Sequence, residues 1–285
     1  MPKTALIDGD IIPYKCGFAT QQSTHETVDG AIHATKTQAE KHIEAQAEAG
    51  VPIAATITTY VETEPLNHAL KLAKNLIDKV MDQTGADDYE IWLSGAKNFR
   101  TAIATIKPYK GNRTADKPLH FEAIREYLID KRGAHVTDGI EADDALGIVQ
   151  VGAAGAGGDT VICTIDKDLN MIPGDHYNWD TDTYYHVTEQ EGYRNFYFQL
   201  LTGDPTDNIT GCPGIGKKKA QAILAGLTSE VELFTACVKA YRACKKFAND
   251  DEADEALEEN AHLLWILRYV GFGYERPIDF DKIGE

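Results

Sequence analysis

The sequence predicts an α/β protein with a mainly parallel β-sheet flanked by helices. Two apolar segments, residues 5–7 and 161–165, have the hydrophobic character of buried strands, and aspartates follow each of them directly. Between them, residues 66–81 carry apolar side chains at helical spacing. Strands that alternate with helices along a chain are typical of a parallel sheet, so we expect one here.

The N-terminal part contains the first predicted elements. Residues 5–7 form a short strand that Asp8-Gly9-Asp10 ends. Residues 20–65 are polar and irregular, with a helical stretch near residues 37–49, and we interpret them as an insertion or a lid. The helix at residues 66–81 follows, and residues 89–93 predict the second strand.

The C-terminal part changes character near residue 196, where helices and a loop rich in Gly, Pro, Asp and Asn replace the strand pattern. We therefore expect a core at residues 1–195 and a second, helical region at residues 196–285. The predicted elements of this half are a Gly- and Ala-rich turn at 152–158, the strand at 161–165, helices at 196–201 and 217–224, and an acidic solvated helix or loop at 249–260.

Composition limits the function classes. The net charge of -17, from 28 basic and 45 acidic residues, argues on its own against nucleic-acid binding, because a phosphate backbone attracts positive charge. None of the five cysteines has Cys-x-x-Cys spacing, so we expect neither a disulfide framework nor a zinc site. No apolar run is long enough to span a membrane and no signal segment precedes the first strand, which predicts a cytoplasmic protein.

Four short acidic runs lie where strands end or where helices and loops begin, at residues 8–10, 141–144, 166–168 and 204–208. Asp8 and Asp166 each follow a strand, and the carboxyl ends of parallel strands meet at one edge of a sheet. Glu141 and Asp144 share one helix face. A single Asp after a strand is usually a turn residue, but four runs at one edge would repel one another without a cation. The runs therefore predict a site for hard divalent cations that prefer oxygen ligands, such as Mg²⁺.

Residues 211–220 form a glycine-rich motif that leads into a helix. The small residues allow a tight turn and a close approach to a partner, and the helix presents its first amides to an anion. Lys217, Lys218 and Lys219 add positive charge. The pattern is typical of a helix–hairpin–helix that contacts DNA phosphates without reading bases. No Gly-x-x-x-x-Gly-Lys-Ser/Thr occurs, so it is not a P-loop.

A basic segment at residues 97–131 interleaves cations with Phe99 and Tyr109. Aromatic and cationic side chains together suit single-stranded nucleic acid, through stacking and phosphate pairing, although a solvated basic loop has the same composition. The segment answers the objection from net charge, because its positive charge is local. Its basic residues are Lys97, Arg100, Lys107, Lys110, Arg113, Lys117, Arg125 and Lys131.

Taken together, the motifs resemble the flap endonuclease / 5′-3′ exonuclease family, in particular the phage-type 5′-exonucleases and the 5′-nuclease domain of bacterial DNA polymerase I. The motifs occur in the order that the family has and span most of the chain. The matching segments are Ile7-Asp8-Gly9-Asp10, Phe99-Arg100, Tyr109-Lys110-Gly111-Asn112-Arg113, residues 141–144, residues 164–169, and residues 203–209 leading into Gly214-Ile215-Gly216-Lys217.

The resemblance implies a PIN-like or resolvase-like nuclease core with a helical arch and a C-terminal helix–three-turn–helix. It implies hydrolysis of DNA, and often RNA, at 5′ ends or flaps by two Mg²⁺ or Mn²⁺ ions, leaving a 5′-phosphate and a 3′-hydroxyl, in replication or repair. RNA primers in RNA–DNA hybrids are further expected substrates, K⁺ is a further expected ion at the helix–three-turn–helix, and we expect a monomer.

The resemblance also assigns roles to individual residues. Lys110, Arg113 and Arg100 fall on positions near the scissile phosphate. The implied metal ligands are Asp8, Asp10, Glu141, Asp143, Asp144, Asp166, Asp168, Asp204 and Asp207. The implied DNA contacts are Tyr109, which stacks on a terminal base, together with Lys107, Gly214, Gly216, Lys217, Lys218 and Lys219.

One departure from the family leaves alternatives open. The family usually has an Asp at the end of the second sheet strand, and here Ser94 is the nearest polar residue. Either Asp10, Asp87 or Asp88 compensates for the missing carboxylate, or one metal ion binds more weakly. A non-catalytic protein that binds DNA structures would explain the missing carboxylate. A PIN-like ribonuclease would explain the acidic residues but not the motif at residues 211–219.

Overall fold

The computed structural model describes residues 2–114, 116–271 and 273–283, which divide into two compact units. The first lies within residues 1–11, 76–116 and 128–285, and the second comprises residues 12–75 and 117–127. In chain order the elements are β1 (Lys3–Asp8), α1 (Ile11–Ala19), β2 (Gln21–Thr27), β3 (Ile32–His33), α2 (Lys36–Glu48), β4 (Ile57–Thr63), α3 (Leu66–Thr84), β5 (Asp88–Leu93), α4 (Arg100–Ile103), α5 (Phe121–Arg132), β6 (His135–Val136), α6 (Ala142–Gly155), β7 (Asp159–Cys163), β8 (Gly174–Asn178), β9 (Thr183–Val187), α7 (Glu189–Thr202), α8 (Lys217–Ile223), α9 (Glu230–Arg242) and α10 (Asp250–Leu264).

The first unit contains a six-stranded sheet in the order β6-β5-β1-β7-β8-β9. All neighbouring strands pair in parallel except β8 and β9, which form an antiparallel pair at one edge. The predicted mainly parallel sheet flanked by helices is therefore confirmed. Strands β1 and β7 lie at the centre because their C-terminal halves are apolar on both faces, and Leu6 and Ile162 are completely buried.

The carboxyl ends of β1, β5 and β7 lie side by side. Ile7 pairs with Ile91 of β5 on one side and with Cys163 of β7 on the other. Gly9 follows β1, and its amide donates to the Trp92 carbonyl at 2.8 Å. A Cβ at Gly9 would lie 2.5 Å from the same carbonyl oxygen, so the chain turns here only with glycine. The turn brings the first acidic run to the edge formed by all three strands.

Helix α6 begins at this edge through a capping box, in which Glu141 and Asp144 each bond the other's backbone amide. Helices α7, α9 and α10 pack in the C-terminal part of the unit around Phe196, Leu200 and Phe234, which are completely buried. Within the described ranges, no helix is long and apolar enough to cross a membrane.

The second unit contains a three-stranded antiparallel sheet in the order β3-β2-β4, together with α2. The prediction that residues 20–65 are irregular outside the helix is therefore wrong. Strands β2 and β4 pair over seven residues, from Gln21 with Thr63 to Thr27 with Ile57. The side chains of β2 and β4 are mostly polar or exposed. Backbone hydrogen bonds hold these strands together without a deep apolar core, so their sequences lack the alternation of apolar and polar residues by which a strand is predicted.

Other differences are local. Helix α6 continues to Gly155, so the turn expected at residues 152–158 is shorter than predicted. The resemblance implies a helical arch after α4, but residues 104–114 and 116–120 form turns, which Pro108 and the left-handed backbone of Lys110 (φ 55°) favour over helix. Helix α7 runs through residues 195 and 196, and a domain boundary there stays a prediction.

Candidate active site

Thr164 joins two of the predicted acidic runs at the carboxyl edge of the sheet. Its hydroxyl donates to Asp8 Oδ2 at 2.8 Å and accepts the Asp166 amide at 2.9 Å. Asp166 Oδ1 in turn accepts the Asp168 amide at 2.8 Å. Asp8 is 2% exposed, so the run after β1 and the run after β7 meet in a buried position, as the sequence predicted.

Asp10 lies at the end of β5, where the sequence showed no carboxylate. Its Oδ1 accepts the Ser94 amide at 2.9 Å, and Ser94 Oγ accepts the Ala142 amide at the start of α6 at 2.9 Å. Asp10 therefore brings a carboxylate from the β1 turn to the strand end at which relatives carry their own Asp. Ser94 itself links this strand end to α6.

Burial and the charges of neighbouring carboxylates raise the pKa values of three of the clustered carboxyls. Burial, followed by the charge of Asp10, raises the pKa of Asp8 to about 7. Burial, followed by the charges of Asp8 and Asp166, raises the pKa of Asp143 well above its ordinary value. For Asp168 the pKa rises to about 6 through burial and the charge of Asp166. Added positive charge in the cluster would favour the ionised form of all three carboxyls.

Arg100 and Asp144 form a buried ion pair behind this cluster. The guanidinium donates to both carboxylate oxygens of Asp144 at 2.6 and 2.8 Å, and to the carbonyls of Leu263 and Trp265 at 2.9 and 2.6 Å. Asp144 also accepts the amides of Glu141 and Leu267, at 3.0 Å each. Arg100 is 3% exposed and Asp144 is completely buried, so the structure places these two predicted site residues against each other rather than in an open site.

The basic turn, residues 108–113, lies against the acidic turn, residues 204–208. Tyr109 Oη lies 2.8 Å from both Glu141 Oε2 and Asp207 Oδ2, Lys110 Nζ bonds Glu141 Oε1, and Arg113 Nη2 lies 2.6 Å from Asp207 Oδ1. The predicted phosphate contacts are therefore beside the predicted metal ligands, and they neutralise two of them.

Two asparagines fasten these turns to each other. Asn112 donates to the Pro205 carbonyl at 2.6 Å, and Asn208 donates to the Pro108 carbonyl at 2.9 Å. The Lys110 amide donates to the Asp207 carbonyl at 2.9 Å. A non-glycine residue rarely adopts a left-handed backbone, so these bonds help to hold Lys110 in its conformation.

A cavity of about 30 Å³ lies where the runs converge. Gln199 lines it and donates to Asp168 Oδ1 at 3.0 Å, while Gln199 Oε1 is buried and has no hydrogen-bond partner among the described residues. The space suffices for one water or one ion. The carboxylates that line it are Glu141, Asp143, Asp168, Asp204 and Asp207.

The donor set fits a hard divalent cation, because every acidic ligand offers oxygen and one further buried oxygen lacks a partner. Within residues 2–114, 116–271 and 273–283, no three His, Cys, Asp or Glu side chains are already arranged to hold a metal ion. Lys110 and Arg113 form ion pairs with Glu141 and Asp207, so these two carboxylates point toward cationic side chains.

The glycine-rich motif begins with a turn that packs against Gly203, the residue directly before the acidic turn. Gly203 and Gly211 have φ values of 70° and 64°, and a Cβ at Gly211 would lie 2.2 Å from the Gly203 amide nitrogen. Lys219 donates back to the Gly214 carbonyl at 2.9 Å. The remaining predicted DNA contacts, Lys107, Gly214, Gly216, Lys217 and Lys218, are exposed.

The sequence does not single out Thr164, Gln199 or the bonds of Asn112 and Asn208. Thr164 precedes Asp166 by two residues, which is a turn spacing that the residue types support. Gln199 has no comparable signal, because a polar residue on a helix is usually solvated. Only the packing of α7 shows that this one faces the acidic cluster.

Comparisons with known proteins agree with these motifs. No family model matches the chain. A DNA polymerase I from Pseudomonas aeruginosa is 31% identical over 157 residues, which cover 51% of this chain and 17% of that protein. A 5′-3′ exonuclease from Buchnera aphidicola subsp. Schizaphis graminum is 30% identical over 168 residues, which cover 54% of this chain and 57% of that protein. The chain thus matches less than two thirds of the length of either relative.

Among solved structures, a T5 5′-exonuclease with bound zinc ions covers 92% of this chain and 100% of its own, at 16% sequence identity and a TM-score of 0.47.

Proposed function

We propose that this chain, which belongs to the family of 5′-3′ exonucleases and flap endonucleases, is a metal-dependent 5′-nuclease. It would hydrolyse DNA phosphodiesters near a 5′ end or at a flap and leave a 5′-phosphate and a 3′-hydroxyl. One observation carries the proposal: Lys110 and Arg113 lie beside a cavity that one buried and four partly buried carboxylates line at the carboxyl edge of a parallel sheet. This arrangement suits a phosphodiester, because metal cations held by the carboxylates and the side chains of Lys110 and Arg113 would together neutralise its negative charge.

Two groups of carboxylates would hold the cations, Mg²⁺ or Mn²⁺. Asp8, Asp10, Asp143 and Asp166 form the first group at the ends of β1 and β7, where the charges of Asp10 and Asp166 contribute to the raised pKa values of Asp8 and Asp143. Asp168 and Asp204 form the second group, with Glu141 and Asp207 across the cavity. Bound divalent cations would supply an activated water and neutralise charge on the leaving oxygen. A K⁺ ion near residues 211–216 stays a prediction from the family resemblance.

The basic turn would bind the phosphate. Lys110 and Arg113 now pair with Glu141 and Asp207, and a phosphodiester entering between the two turns would offer them a competing anion. Arg113 is half exposed and presents a planar donor pair, which suits two phosphate oxygens. Tyr109 would stack on a base only after leaving its two carboxylates.

Arg100 and Asp144 have a supporting role in this proposal. Their buried pair links α4 to the first turn of α6 and to two carbonyls at the C-terminal end of α10, those of Leu263 and Trp265. The Arg100 guanidinium and the Asp144 carboxylate form hydrogen bonds with groups inside the protein. The pair would thereby hold Glu141 and Asp143 at the mouth of the cavity instead of contacting metal or phosphate.

DNA, including 5′ ends, flaps and RNA primers in hybrids, is the proposed partner. Lys217 and Lys218, exposed in the first turn of α8, would contact the backbone away from the cleaved bond. Such contacts add affinity without sequence preference.

Cleavage of a 5′-labelled flap duplex with Mg²⁺ tests the proposal. We expect product from the wild-type protein, none with EDTA, and loss of at least about 100-fold in rate for Asp166→Asn, as expected when a metal site fails. Asp130→Asn, an exposed aspartate on α5, is the matched control and should cleave like wild type. Full activity of Asp166→Asn would refute the proposal.

A non-catalytic DNA-binding protein is the second candidate, because no ready metal arrangement exists among the described side chains and Ser94 stands at the β5 end. Binding of the flap without product in Mg²⁺ or Mn²⁺ would favour it. Adding single-stranded RNA to the same assay distinguishes a ribonuclease, which would cleave RNA in preference to the flap.

A further inference from the structure

Gln199, three residues before the end of α7, has a buried side chain of which, among the described residues, only the amide nitrogen has a hydrogen-bond partner. Its side chain lies within the hydrophobic end of the helix and is 8% exposed. Nε2 donates to Asp168 Oδ1 at 3.0 Å, and Oε1 has no partner in the part of the chain that the structure describes. A buried acceptor without a donor is unfavourable, so Oε1 requires a partner that the protein itself does not provide.

The orientation of the amide is fixed by its neighbour. Turning the amide over would place Oε1 against Asp168 Oδ1, where two acceptors would face each other. Oε1 therefore remains the atom without a partner.

The surroundings restrict what that partner is. Besides Gln199, the polar lining of the cavity consists of Arg100, Tyr109 and carboxylates, and ionised carboxylates accept hydrogen bonds but donate none. Arg100 donates to Asp144, Leu263 and Trp265, and Tyr109 donates to Glu141 or Asp207. A cation or a water molecule in the cavity is therefore the remaining partner for Oε1.

We infer that Gln199 Oε1 is a neutral oxygen for a divalent cation held by Asp168 and Asp204, either as a ligand or as acceptor for the cation's water. Carboxamide oxygens serve hard cations alongside carboxylates. The inference deepens the proposed function, on which it rests for the presence of a cation, and it adds a residue to the site that no acidic motif contains.

Mn²⁺ binding measured by electron paramagnetic resonance, without DNA, tests the inference. We expect Gln199→Leu to weaken Mn²⁺ affinity by about 10-fold or more, the effect of losing a neighbouring oxygen at metal sites. Gln199→Glu keeps an oxygen and adds charge, so it should bind Mn²⁺ at least as tightly as wild type. A merely structural glutamine would give no such opposite response.

Gln150→Leu is the matched control. Gln150 is 1% exposed, and its amide is bonded to Thr160, Pro173 and Asp175 away from the acidic cluster. This variant should lose stability and keep Mn²⁺ affinity. If Gln199→Leu likewise keeps its Mn²⁺ affinity, the inference is overturned and the cavity holds a structural water only.

The outcomes separate this inference from the proposed function. Flap cleavage with unchanged Mn²⁺ affinity in Gln199→Leu would support the nuclease and refute the role of Gln199. Weakened Mn²⁺ binding in Gln199→Leu, in a wild-type protein that cleaves no flap, would support the role of Gln199 and refute the nuclease.

Discussion

Removing the guanidinium of Arg100 should be among the most destabilising single changes in the first unit. Arg100→Met keeps much of the apolar volume but leaves the completely buried Asp144 without its counter-ion. The carbonyls of Leu263 and Trp265 lose their donor as well. Breaking a buried ion pair by removing one partner costs about 3–5 kcal/mol, and the two carbonyls favour the upper part of that range.

Urea denaturation followed by tryptophan fluorescence measures this loss as a change in the free energy of unfolding. Arg276→Met is the matched control, because Arg276 pairs with Glu258 at 3.3 Å on the surface and should contribute less than about 1 kcal/mol. Adding Asp144→Asn to Arg100→Met should recover part of the loss, since it removes the unpaired charge.

A loss of less than about 1 kcal/mol for Arg100→Met, equal to that of Arg276→Met, would refute the buried pair as a support of the site. If Arg100→Met abolishes flap cleavage while the free energy of unfolding stays at the wild-type value, Arg100 contacts the substrate and the supporting role is wrong.

Three further predictions concern the charges of the site. Without metal, the raised pKa of Asp8 means that its contribution to stability is present below its ordinary value of 3.8 and is lost as pH rises through about 7. Asp8→Asn should therefore gain thermal stability relative to wild type between pH 5 and pH 8 in EDTA; an unchanged difference in Tm would contradict this. Lys110→Met should slow single-turnover cleavage more than it weakens DNA binding measured in Ca²⁺, and equal losses would make Lys110 only a clamp. Lys217→Ala and Lys218→Ala should each weaken binding across DNA sequences and reduce the salt slope by about 1, whereas Lys71→Ala, at an exposed lysine on α3, should leave the slope unchanged.

The central strands could be predicted because burial on both faces leaves a continuous apolar run in β1 and β7. Residues 20–65 could not, since β2 and β4 pair through their backbones and expose polar side chains. Strand β6 has two residues, too few for any periodicity. The sequence therefore predicts the strands that are apolar on both faces and misses strands that are very short or mostly polar.

The acidic cluster could be predicted from topology, because aspartates that follow parallel strands must share one edge. The partners of those aspartates could not. Arg100 meets Leu263 and Trp265 across more than 160 positions of the chain, and nothing local in the sequence records that contact. From the sequence, Asp10 is one of three candidates for the carboxylate at the β5 end, and the turn at Gly9 is what brings it there.

Cleavage of a 5′-flap duplex and of a 3′-flap duplex of the same sequence, compared in Mg²⁺ and in EDTA, tests the assignment most directly. The proposed 5′-nuclease activity predicts products from the 5′-flap in Mg²⁺ that end in a 3′-hydroxyl, little from the 3′-flap, and none in EDTA. Products that form equally from both flaps, or that persist in EDTA, would contradict a metal-dependent 5′-nuclease.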